Sequence, residues 1–352
     1  MRRGAGGALA LLALTLAAAP APAAERVLAR ETQRTAVSAY SGSAVWSSWS
    51  ERLRRFRLVA WDRKRGRRVL RVAPSRAPFD ADLGPGRDGR VTVVYSRCKR
   101  TPTNERSSNS LPTYVSGRGC DIYQLPLAGG EERRIDRLSR GDASEVLPTI
   151  WRTGVAFARV YERRSGLEGI LPHLILGSTR SGEPSRELPG GTRGVYEDVS
   201  LGEGPPDYDG GPGPVGIDFD GKRVAYTWSS QADSCKPGDE GDIDHLHAEV
   251  WVDDVGGSHR LVEETCEGET DFFFSPALSP DRLFYYRRLN VTSFGGRFRA
   301  FDFASGAFSE SGAGRRALAL AWGGDALYYS RSASGGRTEI VRDADLAFAP
   351  SG

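Results

Sequence analysis

"DFDGKRVAYTW", Asp218 to Trp228, reads as a tight turn feeding a strand. Asp220-Gly221 is a turn dipeptide, and Val224, Tyr226 and Trp228 then alternate with smaller residues. The phrase recurs along the chain as "GSAVWSSWSE" from Gly42, "DGRVTVVYSRC" from Asp88 and "TGVAFARVYER" from Thr153. It returns as "PDRLFYYRRLN" from Pro280 and "GGDALYYSRSA" from Gly323, which makes six copies with the opening stretch.

Every copy continues into a second strand that closes on an Asp, Gly or Ser turn, as in "FRLVAWDRKRG", "CDIYQLPLAGG", "AEVWVDDVGG" and "RFRAFDFASG". A shorter polar piece follows ("RRVLRVA", "ERRIDRLS", "HRLVEE"), and a strand-like run precedes each turn ("APFDADL", "VLPTIW", "PVGIDF", "FFFSPAL", "RALALAW"). Four strands per unit, punctuated by glycine and lacking helical periodicity, describe a propeller blade. The expectation is an all-β, six-bladed β-propeller of four-stranded antiparallel blades. The sixth copy lacks its outer strand, and the segment "ERVLARET" has nothing before it to pair with. Arg26 to Arg30 is therefore expected to complete the last blade and close the ring, which removes open sheet edges.

"SPDR" (Ser279 to Arg282), "FDGKRVAYTW" and "CDIYQLPLAGG" resemble the Pro-Asp-type, WD40-like repeats of TolB-like propellers. The resemblance extends in pattern from Thr35 to Asp345. It implies the propeller fold. The amino-terminal α/β domain that precedes the TolB propeller has no counterpart here, so the resemblance implies nothing about an envelope-complex role.

The leading residues read differently from the rest. Arg2 and Arg3, the short apolar run Ala8 to Ala19 and the small residues "PAPAA" form an export signal, too short to span a bilayer. The expected layout is a signal peptide over 1–24, cleaved near Ala24, and a single propeller domain over 25–352. The expected location is secreted or in the cell envelope. The chain has 48 basic and 45 acidic residues, and two of the basic ones lie in the leader, so nothing in the charge favours nucleic acid or an anionic membrane. Only Lys64, Lys99, Lys222 and Lys236 are lysines, a bias that fits a GC-rich bacterial genome. A monomer is expected.

In a four-stranded blade with strands A to D counted outward, B–C and D–A connections leave the same end of the ring. The insertions collect there: Lys99 to Gly119, "ERRSGLEGILP", Ser229 to His247, and Gly190 to Gly213. An exported chain with four cysteines is expected to pair them, and four allow three connectivities. Spacing favours Cys98 with Cys120, clasping the longest B–C connection, and Cys235 with Cys266, again at the loaded end. A stapled loop face on a rigid ring is where a binding site is expected. Its partner is expected to be a protein, a peptide or a wall glycan.

The densest candidate chemistry is "GDEGDIDHLHAE". Asp239, Asp242 and Asp244 are hard oxygen donors, and His245 and His247 occupy alternate positions, so the set is a candidate site for Ca²⁺ or a transition metal. A metal-dependent propeller hydrolase or lyase using this loop is the alternative to a binding module. A solvated acidic loop explains the same residues without function. Asp220 and Gly221 are adjacent, which breaks the Asp-box spacing of sialidases. No Gly-x-Ser-x-Gly elbow and no phosphate-cradling loop occurs. No catalytic residue and no bound organic cofactor is nominated. Most of the seven tryptophans sit at repeat positions of strands and are read as inter-blade packing. His173 and His259 read as surface or strand-end residues. "RLRRFR" reads as a solvated B–C connection.

Overall fold

The opening stretch forms a hairpin across the Asp220 turn. Asp220 Oδ1 accepts hydrogen bonds from the amides of Lys222 (2.8 Å) and Arg223 (2.7 Å), which explains the aspartate. Gly221 has φ +89°, and a Cβ there would lie 2.2 Å from Trp151 Cδ1 of the neighbouring blade. The turn therefore needs glycine for both conformation and space.

The computed structural model describes residues 25–99, 118–161, 172–188, 213–232, 245–266, 272–288, 295–311 and 316–351. Strand β1 (Glu25–Glu31) is followed by the first blade, β2 (Val37–Tyr40), β3 (Ser43–Ser50), β4 (Arg55–Asp62) and β5 (Gly66–Val69). The second blade is β6 (Asp80–Pro85), β7 (Val91–Arg97), β8 (Asp121–Pro126) and β9 (Arg133–Arg134). The third is β10 (Ala143–Trp151), β11 (Gly154–Tyr161), β12 (His173–Ser178) and β13 (Arg186–Glu187). The fourth is β14 (Gly213–Phe219), β15 (Arg223–Ala232), β16 (His245–Asp254) and β17 (His259–Cys266). The fifth is β18 (Phe272–Leu278), β19 (Arg282–Arg288), β20 (Gly296–Asp302) and β21 (Phe308–Glu310). The sixth takes β22 (Ala317–Trp322), β23 (Leu327–Ser332) and β24 (Thr338–Asp343) from the end of the chain and β1 from its start, in the order β22-β23-β24-β1. The sheets are antiparallel meanders, so the molecule is a six-bladed β-propeller closed as the repeat anticipates.

Closure is built on register. Glu25 lies opposite Asp343 and Glu31 opposite Thr338, with one bulge between Val27 and Ala29. Glu31 then reaches into the first blade, where its carboxylate accepts from Trp46 Nε1 (2.7 Å) and Ser48 Oγ (2.7 Å) and pairs with Arg67 (3.2 Å). The seam is thus tied by main chain and side chain together. One strand goes beyond the expectation: β25 (Ala349–Pro350) adds a fifth strand to the fifth blade, with Ser309 opposite Pro350. Proline is tolerated there because the strand is an edge.

Both faces of each blade are buried, which explains strands written as near-continuous apolar runs. In β4, Phe56, Leu58 and Ala60 pack toward the second blade, while Val59 and Trp61 pack toward the sixth. The second-strand aromatics do the heaviest filling, with Trp46, Tyr95, Tyr226, Tyr285, Tyr286, Tyr328 and Tyr329 all fully buried. Four of the tryptophans, Trp46, Trp61, Trp228 and Trp251, are buried between blades. Packing is indeed their role. No helix of the described residues is long and apolar enough to cross a membrane.

Candidate functional site

The ring has two unlike ends. At the A–B end the turns are short, and Tyr40 of the first blade meets Trp151 of the third edge-to-face, ring centres 5.7 Å apart. Arg223 bridges the turns of the fourth and fifth blades, pairing with Asp220 (2.6 Å) and donating to the carbonyl oxygens of Ser279 (3.0 Å) and Pro280 (3.1 Å). The strand ends joined by the long B–C and D–A connections all lie at the other end.

There the Cys98–Cys120 disulfide is present, joining the end of β7 to the start of β8. Cys120 is fully buried, and its carbonyl accepts from the amide of Glu145 (3.0 Å) while its amide donates to Ser144 Oγ (3.3 Å). The staple is therefore fastened to β10 of the next blade as well as across its own connection. Glu145 is itself buried against Arg159 (3.0 Å), and burial pushes its carboxyl up to about 7 against the pull of that guanidinium.

The innermost strands carry a polar belt at one repeat position. Ser38, Asp82, Thr149 and Asp218 lie opposite Val45, Val94, Ala156 and Ala225, so they are equivalent residues of the first four blades. Ser38 Oγ donates to Asp82 (2.5 Å) and accepts from the amide of Leu83 (2.9 Å). Asp82 Oδ2 accepts from the amide of Ile150 (3.2 Å), and Asp218 Oδ2 accepts from the amide of Leu278 (2.6 Å). Thr149 Oγ1 makes a long contact to Asp218 Oδ1 (3.5 Å). Each acid thus binds the main chain of the following blade. In the fifth blade the position is Ala277, and the belt stops.

A third acid, Asp80, sits two residues earlier in β6 and accepts from the amide of Leu147, which has φ +52° in the bulge of β10. Burial pushes Asp80 up to about 7, with the charge of Asp82 adding to it. Asp82 and Asp218 are likewise raised, by burial first, and the charge of Asp82 also raises Asp218. Burial thus raises all three carboxyl groups, and each is engaged by a neighbouring inner strand. Their geometry is that of a latch.

Among the described residues no group of three or more His, Cys, Asp or Glu is arranged to hold a metal ion. Asp239, Asp242, Asp244 and Cys235 lie outside the described residues. His245 and His247 occupy alternate positions of β16, opposite Ala232 and Ser230, and Cys266 lies opposite His247. The other two histidines are structural. His173 is buried rather than a surface residue, its Nδ1 bonded to Glu187 (3.0 Å), because Tyr161 packs edge-on over its ring. His259 stacks on Trp251 with ring centres 4.1 Å apart and pairs with Asp253.

No family model and no curated protein matches the sequence. Among solved structures the chain is similar to an oligogalacturonate lyase in complex with manganese, at 12% identity and TM-score 0.45 over 89% of this chain and 75% of that one. It is similar to the oligogalacturonate lyase of Vibrio parahaemolyticus at 10% identity and TM-score 0.45, over 91% of this chain and 93% of that one. A puromycin-hydrolyzing peptidase of Mycobacterium tuberculosis matches at 11% identity and TM-score 0.47, over 90% of this chain and 52% of that one.

Proposed function

We propose that the chain is an exported binding module of the TolB-like propeller type. Its partner, a protein, peptide or wall glycan, is held at the end of the ring that bears the long connections. One observation carries the reading. The Cys98–Cys120 bond fixes the base of the second blade's B–C connection and is tied to the third blade by two hydrogen bonds of the Cys120 main chain, one to the Glu145 amide and one to the Ser144 hydroxyl, which gives that connection a rigid footing. A tightly turned opposite end, where Tyr40 packs on Trp151, supports the same polarity. Leader-like residues 1–24 and a disulfide both fit life outside the cytoplasm.

Photo-crosslinking in intact cells tests it, with the crosslinker placed in turn at Arg118 and at Lys222. A crosslinked partner at Arg118 that disappears when residues 100–117 are replaced by a Gly/Ser linker is the expected result. Crosslinks confined to Lys222, at the A–B end, overturn it. The metal-dependent reading rests on Asp239, Asp242, Asp244, His245 and His247 and has its own test. Addition of Ca²⁺ or Zn²⁺ should raise the melting temperature of the wild type but not of an Asp242→Asn/Asp244→Asn variant, and no response ends that reading.

A further inference from the structure

We propose that the outer corner of the first blade, at the connection-bearing end, is a docking surface for a polyanionic glycan, a polysaccharide carrying carboxylates or phosphates. This goes beyond the binding reading above, since the corner belongs to a different blade from the stapled connection and the chemistry of its ligand is specified.

Several arginines elsewhere are matched to acids. Arg159 pairs with Glu145, Arg299 with Glu263 and Glu310, and Arg331 with Glu25 and Glu339. In the first blade, Arg52, Arg54, Arg55, Arg57, Arg71 and Arg76 form no ion pair among the described residues. Glu51 is the sole acid in the two segments, 51–57 and 70–79, that carry them.

The fold gathers these six side chains. Residues 51–54 turn tightly between β3 and β4, with the amide of Arg54 donating to the carbonyl of Glu51 (3.3 Å). The connection leaving β5 folds back beside β4. Phe56 and Ser75 exchange main-chain hydrogen bonds (2.8 and 3.0 Å), and the amide of Leu70 donates to Leu58 (2.9 Å). Arg71 and Arg76 are thereby brought alongside the strand positions of Arg57 and Arg55. Arg52, Arg54, Arg71 and Arg76 are exposed, while Arg55 and Arg57 are half-buried. The buried Nε of Arg57 meets no acceptor among the described residues, a state it shares with the ion-paired Arg282, Arg297, Arg299 and Arg342.

Six guanidinium groups at one corner repel one another unless an anion of several charges lies across them. Their planar forks match carboxylate and phosphate oxygens in pairs. Half-buried Trp49, packed on Phe56 with ring centres 4.9 Å apart, borders the corner and offers an aromatic edge to a sugar ring. A single-stranded nucleic acid would call for a row of exposed aromatic faces, and the described residues of the corner offer none.

The test uses the exported full-length chain and four probes, alginate, poly(glycerol phosphate), single-stranded DNA and anionic lipid vesicles, with neutral dextran as control. Affinity electrophoresis and calorimetry should show binding of alginate or poly(glycerol phosphate) that weakens steeply with salt, and none of dextran. The variant Arg52→Gln/Arg54→Gln/Arg71→Gln/Arg76→Gln changes exposed side chains alone, so its melting temperature should stay unchanged. Its glycan affinity should fall on the order of tenfold or more. Arg57→Lys keeps the charge but loses the fork, and should weaken binding several-fold. The 100–117 linker variant keeps full glycan affinity, so failure of the loop-face reading and failure of this one appear in different proteins. The proposal is overturned if neither glycan binds, if the four-arginine variant binds as well as the wild type, or if DNA or vesicles are bound in preference to both glycans.

Discussion

Asp82 and Asp218 stand at the same position of the repeat two blades apart, and each accepts a hydrogen bond from the innermost strand of the next blade, from Ile150 and Leu278 respectively. Neither acid faces a guanidinium partner in these contacts. Main-chain amides and the hydroxyls of Ser38 and Thr149 surround them instead. That environment raises both carboxyl groups, by burial first and for Asp218 also by the charge of Asp82.

Stability should therefore fall as pH rises from about 5 to about 8. A carboxyl whose folded pKa is raised above its unfolded value near 4 binds more protons folded than unfolded between the two values, so folding weakens across that window. Asp80 and Glu145, each raised to about 7, act in the same sense as the Asp82 and Asp218 pair. The acids held low by partners, such as Asp62 and Glu339, act only below that window. Urea melts across the range should show a loss of at least about 2 kcal/mol, the share of one such carboxyl alone. Asp218→Asn keeps an acceptor for the Leu278 amide and should flatten the profile. A profile that rises toward pH 8 refutes the latch.

The seam between the sixth and first blades should depend on Glu31. Glu31→Ala strands the buried indole N–H of Trp46 and frees Ser48 and Arg67. We expect a loss of roughly 2 to 3 kcal/mol in chemical denaturation, with Glu31→Gln intermediate. An unchanged midpoint would mean that the ladder of β1 with β24 suffices alone.

Breaking the staple should cost about 3 kcal/mol, the loop-closure value for a 22-residue separation. Cys98→Ser/Cys120→Ser should show this as a lowered melting temperature under oxidising conditions, and the wild type should match it once reduced. A variant as stable as the oxidised wild type contradicts the structural role given to the bond.

Two glycine substitutions should differ sharply. A Cβ on Gly84 would sit 1.8 Å from the carbonyl oxygen of Ile150, a main-chain atom that cannot swing away. Gly84→Ala should cost at least about 3 kcal/mol or prevent folding. Gly42 has open space around it and a φ of +71°, so Gly42→Ala should cost about 1 kcal/mol. Comparable midpoints for the two would show that the second and third blades do not approach as closely as described.

The ring was legible because its blades repeat an aromatic strand after a turn whose chemistry is local. Asp220 is spent on the amides of its own turn, and Ser279 does the same in the fifth blade. Closure was legible because a strand at one end matched a vacancy at the other. The fifth strand Ala349–Pro350 was not, since two residues carry no alternation. The acid belt was hidden for another reason. In "APFDADL" and "PVGIDF" an aspartate within an apolar run looks like a strand-end charge, and only alignment of the copies on their turns puts Asp82 and Asp218 level with Ser38 and Thr149. The first-blade arginines reach one corner through the fold-back of residues 70–79 against β4, a pairing that has no periodic signature.

The pairing of β25 with β21 sets Ala349 on the rim of the fifth blade, while Glu25 begins the outermost strand of the sixth, opposite Asp343. Two neighbouring rims thus receive the first and the last strand of the ring. In a variant shortened to begin at Glu25, a short tether from Ser351 to Glu25 would make the chain a circle, and fresh ends opened at the Gly182 bend would yield a permuted protein whose sixth blade is sewn by one continuous thread.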